Sequence, residues 1–221
     1  MVKNKIFIIC FFFLCMSGIY YVQAQNQQMP LLGKVIYLDA GHGGLDPGAF
    51  YKNIKEKDIN LAITNKLEEE LSKLGAIVYQ TRYGDYDLSV PHNNNRKRSD
   101  LSRRGTIINE SKCDLYLTIH LNADASTTLR GAQVFYDDIH DDNQEIAKIM
   151  QKLFHDKLYS KREYKKVNDL YLSKWVDRPG VLLELGFLSN ANDRYLLKSK
   201  EYQIKLSHVI AEGVLQYFNQ K

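Results

Sequence analysis

Cysteine is scarce in this chain. Of the three present, Cys10 and Cys15 fall in an apolar N-terminal run, which leaves Cys113 alone and excludes an intrachain disulfide from the rest of the molecule. A strong charge of one sign is missing too. Lys and Arg outnumber Asp and Glu by 30 to 26, a formal +4 that falls to +2 without Lys3 and Lys5, and so mild a balance gives no argument for a nucleic-acid partner. Familiar catalytic signatures are absent as well. There is no Gly-x-Ser-x-Gly elbow of a serine hydrolase and no His-Glu-x-x-His of a zincin-type protease. Gly41, Gly43 and Gly44 follow a strand, but Asp46 holds the place of the third glycine of a dinucleotide loop, and Ala49-Phe50 after Gly48 excludes a phosphate-binding P-loop. No internal repeat is visible.

The chain opens on a leader. Lys3 and Lys5 precede an apolar run from Ile6 to Val22 built around Phe11-Phe12-Phe13, and Val22-Gln23-Ala24 closes it with a small-residue cleavage pattern. Residues 1–24 read as a secretory signal or, if uncleaved, as an anchor helix at the short end of membrane-spanning length; either places the remainder of the chain outside the cytoplasm. Lipidation at Cys15 is disfavoured, because Leu14 stands where a small residue is needed. A linker over 25–32 leads to one domain over 33–221, and a composition of 44% hydrophobic and 25% charged residues fits a single ordinary core.

Periodicity alternates between two kinds. Lys34–Asp39, Ile77–Thr81, Leu115–His120, Ala132–Tyr136, a stretch near Asp169–Leu172 and Val181–Leu185 read as strands. Helical spacing marks Glu56–Leu74, about Leu101–Glu110, Ile146–Leu158 and Leu206–Tyr217. The segment Tyr83–Ser99, with Pro91, Asn93-Asn94-Asn95 and the basic run Arg96-Lys97-Arg98, has no period and reads as a solvated loop. Strands alternating with helices predict a three-layer α/β sandwich, a twisted, largely parallel sheet of about six strands flanked by helices.

In such a sheet, chemistry gathers at strand ends. His42 follows the first strand among glycines that let its backbone come close to another group, and His120 closes an apolar strand. Glu56 precedes Ile59 and Ile63 by one and two helical turns, on the stripe facing the core. A carboxylate there is paired or metal-bound, unless the first turn frays and leaves it exposed to favour the helix dipole. Each histidine alone is as readily structural as ligating; together with Glu56 they make a set suited to catalytic zinc with one position open. Glu184, charged within Leu183-Glu184-Leu185-Gly186, is either half of an inward ion pair or a general base with a pKa raised by desolvation. His92, His140, His155 and His208 join no constellation.

These residues carry a resemblance. Asp39-Ala40-Gly41-His42-Gly43-Gly44, then Glu56, then Thr118-Ile119-His120-Leu121-Asn122-Ala123, then Glu184-Leu185-Gly186-Phe187-Leu188-Ser189-Asn190 resemble, in that order, the zinc N-acetylmuramoyl-L-alanine amidases, over roughly Gly33 to Phe218. Thr81-Arg82 and Leu101 with Arg104 and Asn109 agree. The resemblance implies one zinc ion on His42, Glu56 and His120, Glu184 as catalytic carboxylate, and Asn122, Arg82 and Arg104 as substrate contacts. The compact plan and the long insertion before Leu101 are similar to the germination-specific branch of spore formers, whose members strip stem peptides during cortex assembly so that muramic-δ-lactam can form. Ala40 stands where proline is usual and Thr118 where serine is usual.

Peptidoglycan is then the expected substrate, and the 83–99 insertion the expected contact for acidic glycan or an accessory envelope protein. Deleting it is expected to impair substrate use while metal binding survives. Two other readings fit the same residues: a non-catalytic peptidoglycan-binding protein and a zinc peptidase acting on another cell-wall amide.

Overall fold

A computed structural model of the chain describes residues 29–168, 172 and 175–221. The leader read from residues 1–24 lies outside them, as does most of the strand expected near Asp169–Leu172. Six strands form the main sheet: β1 (Val35–Ala40), β4 (Ile77–Gln80), β5 (Leu115–Asn122), β6 (Gln133–Tyr136), β7 (Lys165–Lys166) and β8 (Gly180–Phe187), in the order β4-β1-β5-β8-β6-β7. β4, β1, β5 and β8 run parallel, and β6 is antiparallel to β8. The largely parallel three-layer sandwich expected from the sequence is the fold observed.

The layers follow from alternation along the strands. Leu115, Leu117, Ile119 and Leu121 of β5 and Val181, Leu183 and Leu185 of β8 enter the larger core. There they meet Ile63 and Leu67 of α1 (Glu56–Lys73), Met150 and Phe154 of α3 (Asp141–Leu158), and Ile210 and Val214 of α5 (Lys200–Asn219). The opposite face carries Tyr37 and Tyr116, which pack with Ile108 of α2 (Arg96–Ser111), Leu172 and Val176 in a smaller core. His120 and Glu184 belong to this second, thinly covered face, which is why chemistry has room there.

Local differences from the sequence reading have local causes. Arg96-Lys97-Arg98, read as loop, form the first turn of α2. Asn95 caps that turn by accepting a hydrogen bond from the Arg98 N–H, and no apolar residue there gave a period to detect. A short helix α4 (Ala191–Lys198) is capped by Asn190, whose side chain accepts from the N–H groups of Asn192 and Asp193. A two-residue hairpin, β2 (Phe50–Tyr51) with β3 (Ile54–Lys55), swings the chain round so that α1 starts beneath the glycine loop.

Gly180 sits opposite Tyr116 in the β5–β8 register. A Cβ there would lie 2.2 Å from Tyr116 Cδ1 and 2.4 Å from its carbonyl oxygen, whereas one at Gly213 would meet the far end of Met150, 2.3 Å from Sδ. Backbone cannot yield as a thioether can. Gly180→Ala should therefore lose about 2–3 kcal/mol in denaturant unfolding, and Gly213→Ala clearly less.

Candidate active site

The loop after β1 is held in an unfavourable shape. His42 has φ 63°, the left-handed region that costs a β-substituted residue about 1–2 kcal/mol. Two buried arginines fix it. Arg82 donates from Nε to the Ala40 carbonyl at 2.8 Å and from Nη2 to those of Gly41 and Lys57 at 3.1 and 2.8 Å. Arg104 donates from Nη1 to the Ala40 carbonyl at 2.9 Å and from Nη2 to that of His42 at 2.7 Å, and it is balanced by Asp39 at 2.7 Å and Asp100 at 2.8 Å.

This brings the imidazole of His42 over the start of α1. Nε2 of His42 lies 3.2 Å from Glu56 Oε2, and Nδ1 of His120 lies 2.9 Å from Glu56 Oε1. The two rings meet edge to face with centroids 4.7 Å apart. Glu56 is 3% exposed, so the frayed-turn reading does not hold. Its Oε2 also accepts from the Ala49 N–H at 2.8 Å, and Oε1 accepts from the Leu121 N–H at 2.9 Å and Asn60 Nδ2 at 3.2 Å. Close approach demands glycine. A Cβ on Gly41 would stand 2.3 Å from His120 Nε2, and one on Gly48, at φ +65°, 2.6 Å from Glu56 Oε2.

Asp46, which the sequence reading passed over, lies 2.7 Å from His42 Nδ1. A carboxylate only accepts, so it fixes Nδ1 as a protonated nitrogen and turns Nε2 inward, towards Glu56, as the nitrogen left to face a metal. A carboxylate four residues after a glycine-flanked histidine was the signal available for it. In the metal-free protein burial opposes the charged form of His42, but the hydrogen bonds its ring donates to Asp46 and Glu56 prevail and push its pKa up to about 9, so metal binding displaces a proton from the ring. Burial likewise opposes the Glu56 carboxylate, yet His120 and His42 hold it well below its ordinary range. Two imidazoles and a carboxylate, with ligand atoms all within 4.8 Å of one another, fit one divalent ion of zinc's preferences.

Glu184 stands opposite His120 in the β5–β8 register. The residue is half-buried, but its Oε2 is shut off from solvent without a hydrogen-bond partner among the described residues. Desolvation, reinforced by the like charge of Glu56, pushes its pKa up to about 7 against the pull of His120 and His42. No inward ion pair is found for it among the described residues, which removes that alternative. A buried carboxylate with an unused oxygen beside a metal-ligand set is equipped to move a proton near neutral pH.

The family model of the N-acetylmuramoyl-L-alanine amidases matches residues 36–216. The chain belongs to this amidase family. It is 40% identical over 197 residues to the germination-specific N-acetylmuramoyl-L-alanine amidase of Bacillus subtilis, covering 87% of this chain and 83% of that one. The fold is similar to that of the CwlD amidase from Clostridioides difficile, solved in complex with the GerS lipoprotein. The TM-score is 0.82 at 39% identity, covering 86% of this chain and 100% of that one. An N-acetylmuramoyl-L-alanine amidase from Clostridium difficile 630 gives a TM-score of 0.77 at 30% identity, covering 85% and 98%.

Within this amidase, two expected substrate contacts have another place. Arg82 and Arg104 are 0% and 1% exposed, and their donors are spent on the glycine loop and its acidic neighbours, so they position His42 from beneath instead of meeting substrate. Asn122 is at the rim, half-buried, just past a bulge in the β5–β8 pairing, with its Oδ1 accepting from the Ala123 N–H at 2.9 Å. The insertion also has an internal role. Asp85 accepts from the Gly44 N–H at 2.9 Å and pairs with Lys57 at 2.7 Å, and Asp87 accepts from the Leu45 N–H at 3.5 Å, so its first half braces the amidase loop.

A raised folded-state pKa on a carboxylate costs stability once the group must ionise. The contribution is intact below the ordinary value of 4.5 and is lost as pH rises through about 7. In metal-free protein, Glu184→Gln should therefore raise the melting temperature at pH 8, by a free energy on the order of 3 kcal/mol, and the gain should vanish near pH 4. Thermal unfolding in chelator across that range checks it.

Proposed function

We propose that this amidase is an exported zinc enzyme that hydrolyses the amide between N-acetylmuramic acid and L-alanine, releasing stem peptides during spore-cortex maturation so that muramic-δ-lactam can form. The juxtaposition of His42, Glu56 and His120 with the unpartnered carboxylate of Glu184 carries this reading. The leader read from residues 1–24 supports export, and the likeness to a germination-specific relative supports the cortex role. A non-catalytic binding protein would have no use for a desolvated Glu184, and a peptidase on another wall amide is disfavoured by the family.

His42 through Nε2, Glu56 through a carboxylate oxygen and His120 through Nδ1 would hold the ion. When bound, zinc supplies Lewis acidity, polarising the scissile carbonyl and lowering the pKa of water towards neutrality. Glu184 takes the proton of the attacking water as its oxygen joins the carbonyl carbon, then delivers that proton to the alanine nitrogen as the C–N bond breaks, leaving a muramic carboxyl and a free peptide amine. Asp46 holds the His42 ring, and Arg82 and Arg104 hold its backbone. Asn122 at the rim is placed to meet substrate. A lipoprotein partner like that of the Clostridioides difficile structure fits here too, with the exposed stretch 90–98 as its contact.

Purified protein incubated with zinc and muropeptides should liberate free stem peptide; bound zinc with no peptide released would favour the non-catalytic reading. Glu184→Gln should keep zinc and lose roughly two or more orders of magnitude in rate, while His42→Ala and Glu56→Ala should lose the metal itself, as read by metal analysis. Because Asp85 and Asp87 brace the glycine loop, excising 83–95 should lower zinc occupancy along with turnover. Full occupancy after excision would show that the brace is dispensable.

A further inference from the structure

Glu56 offers two oxygens to the metal-ligand set, and the protein treats them differently. Apart from His42 Nε2 and His120 Nδ1, which carry no proton once they bind a metal, Oε1 accepts from the Leu121 N–H at 2.9 Å and from Asn60 Nδ2 at 3.2 Å. Oε2 accepts only from the Ala49 N–H, at 2.8 Å, among the described residues. Each oxygen of an ionised carboxylate has two lone-pair positions. Both are taken on Oε1, and one stays open on Oε2, the oxygen 3.2 Å from His42 Nε2.

Asn60 makes that difference. It follows Glu56 by one helical turn on α1 and is 0% exposed. Its two neighbours, Glu56 Oε1 and the Gly41 carbonyl, each at 3.2 Å, are both acceptors, so the amide turns its NH2 group towards them. That leaves Oδ1 buried with no hydrogen-bond partner among the described residues, which opposes folding. Nor do the acceptors need Asn60. The Gly41 carbonyl also accepts from Arg82 Nη2 at 3.1 Å, and Oε1 from the Leu121 N–H. A side chain that costs stability and duplicates bonds already made is placed for the site rather than for the fold.

From this count we infer that Asn60 is a positioning residue that fixes the denticity of Glu56: by filling the last lone pair of Oε1, it restricts the carboxylate to one metal bond, through Oε2. The inference rests on the reading of His42, Glu56 and His120 as the zinc ligands and names what keeps the position beside them free. Three single bonds, from two imidazoles and one oxygen, leave a fourth tetrahedral place for water. A carboxylate gripping with both oxygens fills that place.

The test compares wild type with Asn60→Leu, which keeps the shape and removes the donors. In zinc-loaded crystals of wild type, Glu56 Oε2 should lie about 2.0–2.2 Å from the ion and Oε1 well outside that range. In Asn60→Leu both oxygens should bind. Zinc affinity, measured by chelator competition, should be no weaker than in wild type, while kcat for stem-peptide release falls about tenfold or more at full occupancy. In chelator, the melting temperature should move by no more than about 2–4 °C. A merely structural Asn60 predicts the reverse, a larger loss of metal-free stability with Glu56 still bound through one oxygen. Wild type bound through both oxygens, or Asn60→Leu bound through one, overturns the assignment; should that variant misfold, the wild-type crystals and Asn60→Ala decide. Wild type with no zinc on His42 and His120 would instead sink the ligand-set reading, a result distinct from zinc held there by both oxygens of Glu56.

Discussion

Everything at the site hangs on three consecutive carbonyls. Those of Ala40, Gly41 and His42 all point at two buried guanidinium groups, Arg82 and Arg104. Hydrogen bonds from a charged donor are roughly twice as strong as neutral ones, and here they offset a left-handed histidine that the local chain would otherwise relax away. Arginine suits the task because a planar fork reaches several acceptors at once and stays charged under all physiological conditions. Asp39 and Asp100 pair with Arg104, and these two carboxylates against the two guanidinium groups leave the clamp with no net charge.

The two glutamates near that loop have opposite surroundings, and their difference divides the labour. Glu56 has partners on both oxygens and stays an anion; Glu184 has an oxygen with none and is protonated easily. The left-handed backbone of His42 and the desolvated acid of Glu184 are each unfavourable for folding taken alone. Such concentrated local cost is expected where a fold is shaped for chemistry more than for stability.

Much of this was legible in the residues. The continuous apolar run of β5 announced a buried strand, and the position of Glu56 one turn before Ile59 announced a carboxylate pointing into the core. Separate histidines could be grouped with it because strand ends of a parallel sheet converge. Arg82 and Arg104 were misplaced for a physical reason: arginine is usually exposed, and nothing in a linear pattern shows that a turn has carbonyls to spare. Asp46 was missed because its partner nitrogen belongs to a ring whose orientation only the folded loop sets. The start of α2 escaped because a capping asparagine among asparagines and a run of cations has no apolar period.

The three side chains that could hold a metal come from a loop, a helix start and a strand end, with Glu56 and His120 sixty-four positions apart. No short stretch of the nascent polymer can therefore capture an ion before the sheet has closed. A polypeptide that crosses a membrane as an extended thread would arrive empty and be loaded only at its destination, from whatever ions that compartment offers. Supply of metal there, rather than synthesis, would then govern when the catalyst becomes competent.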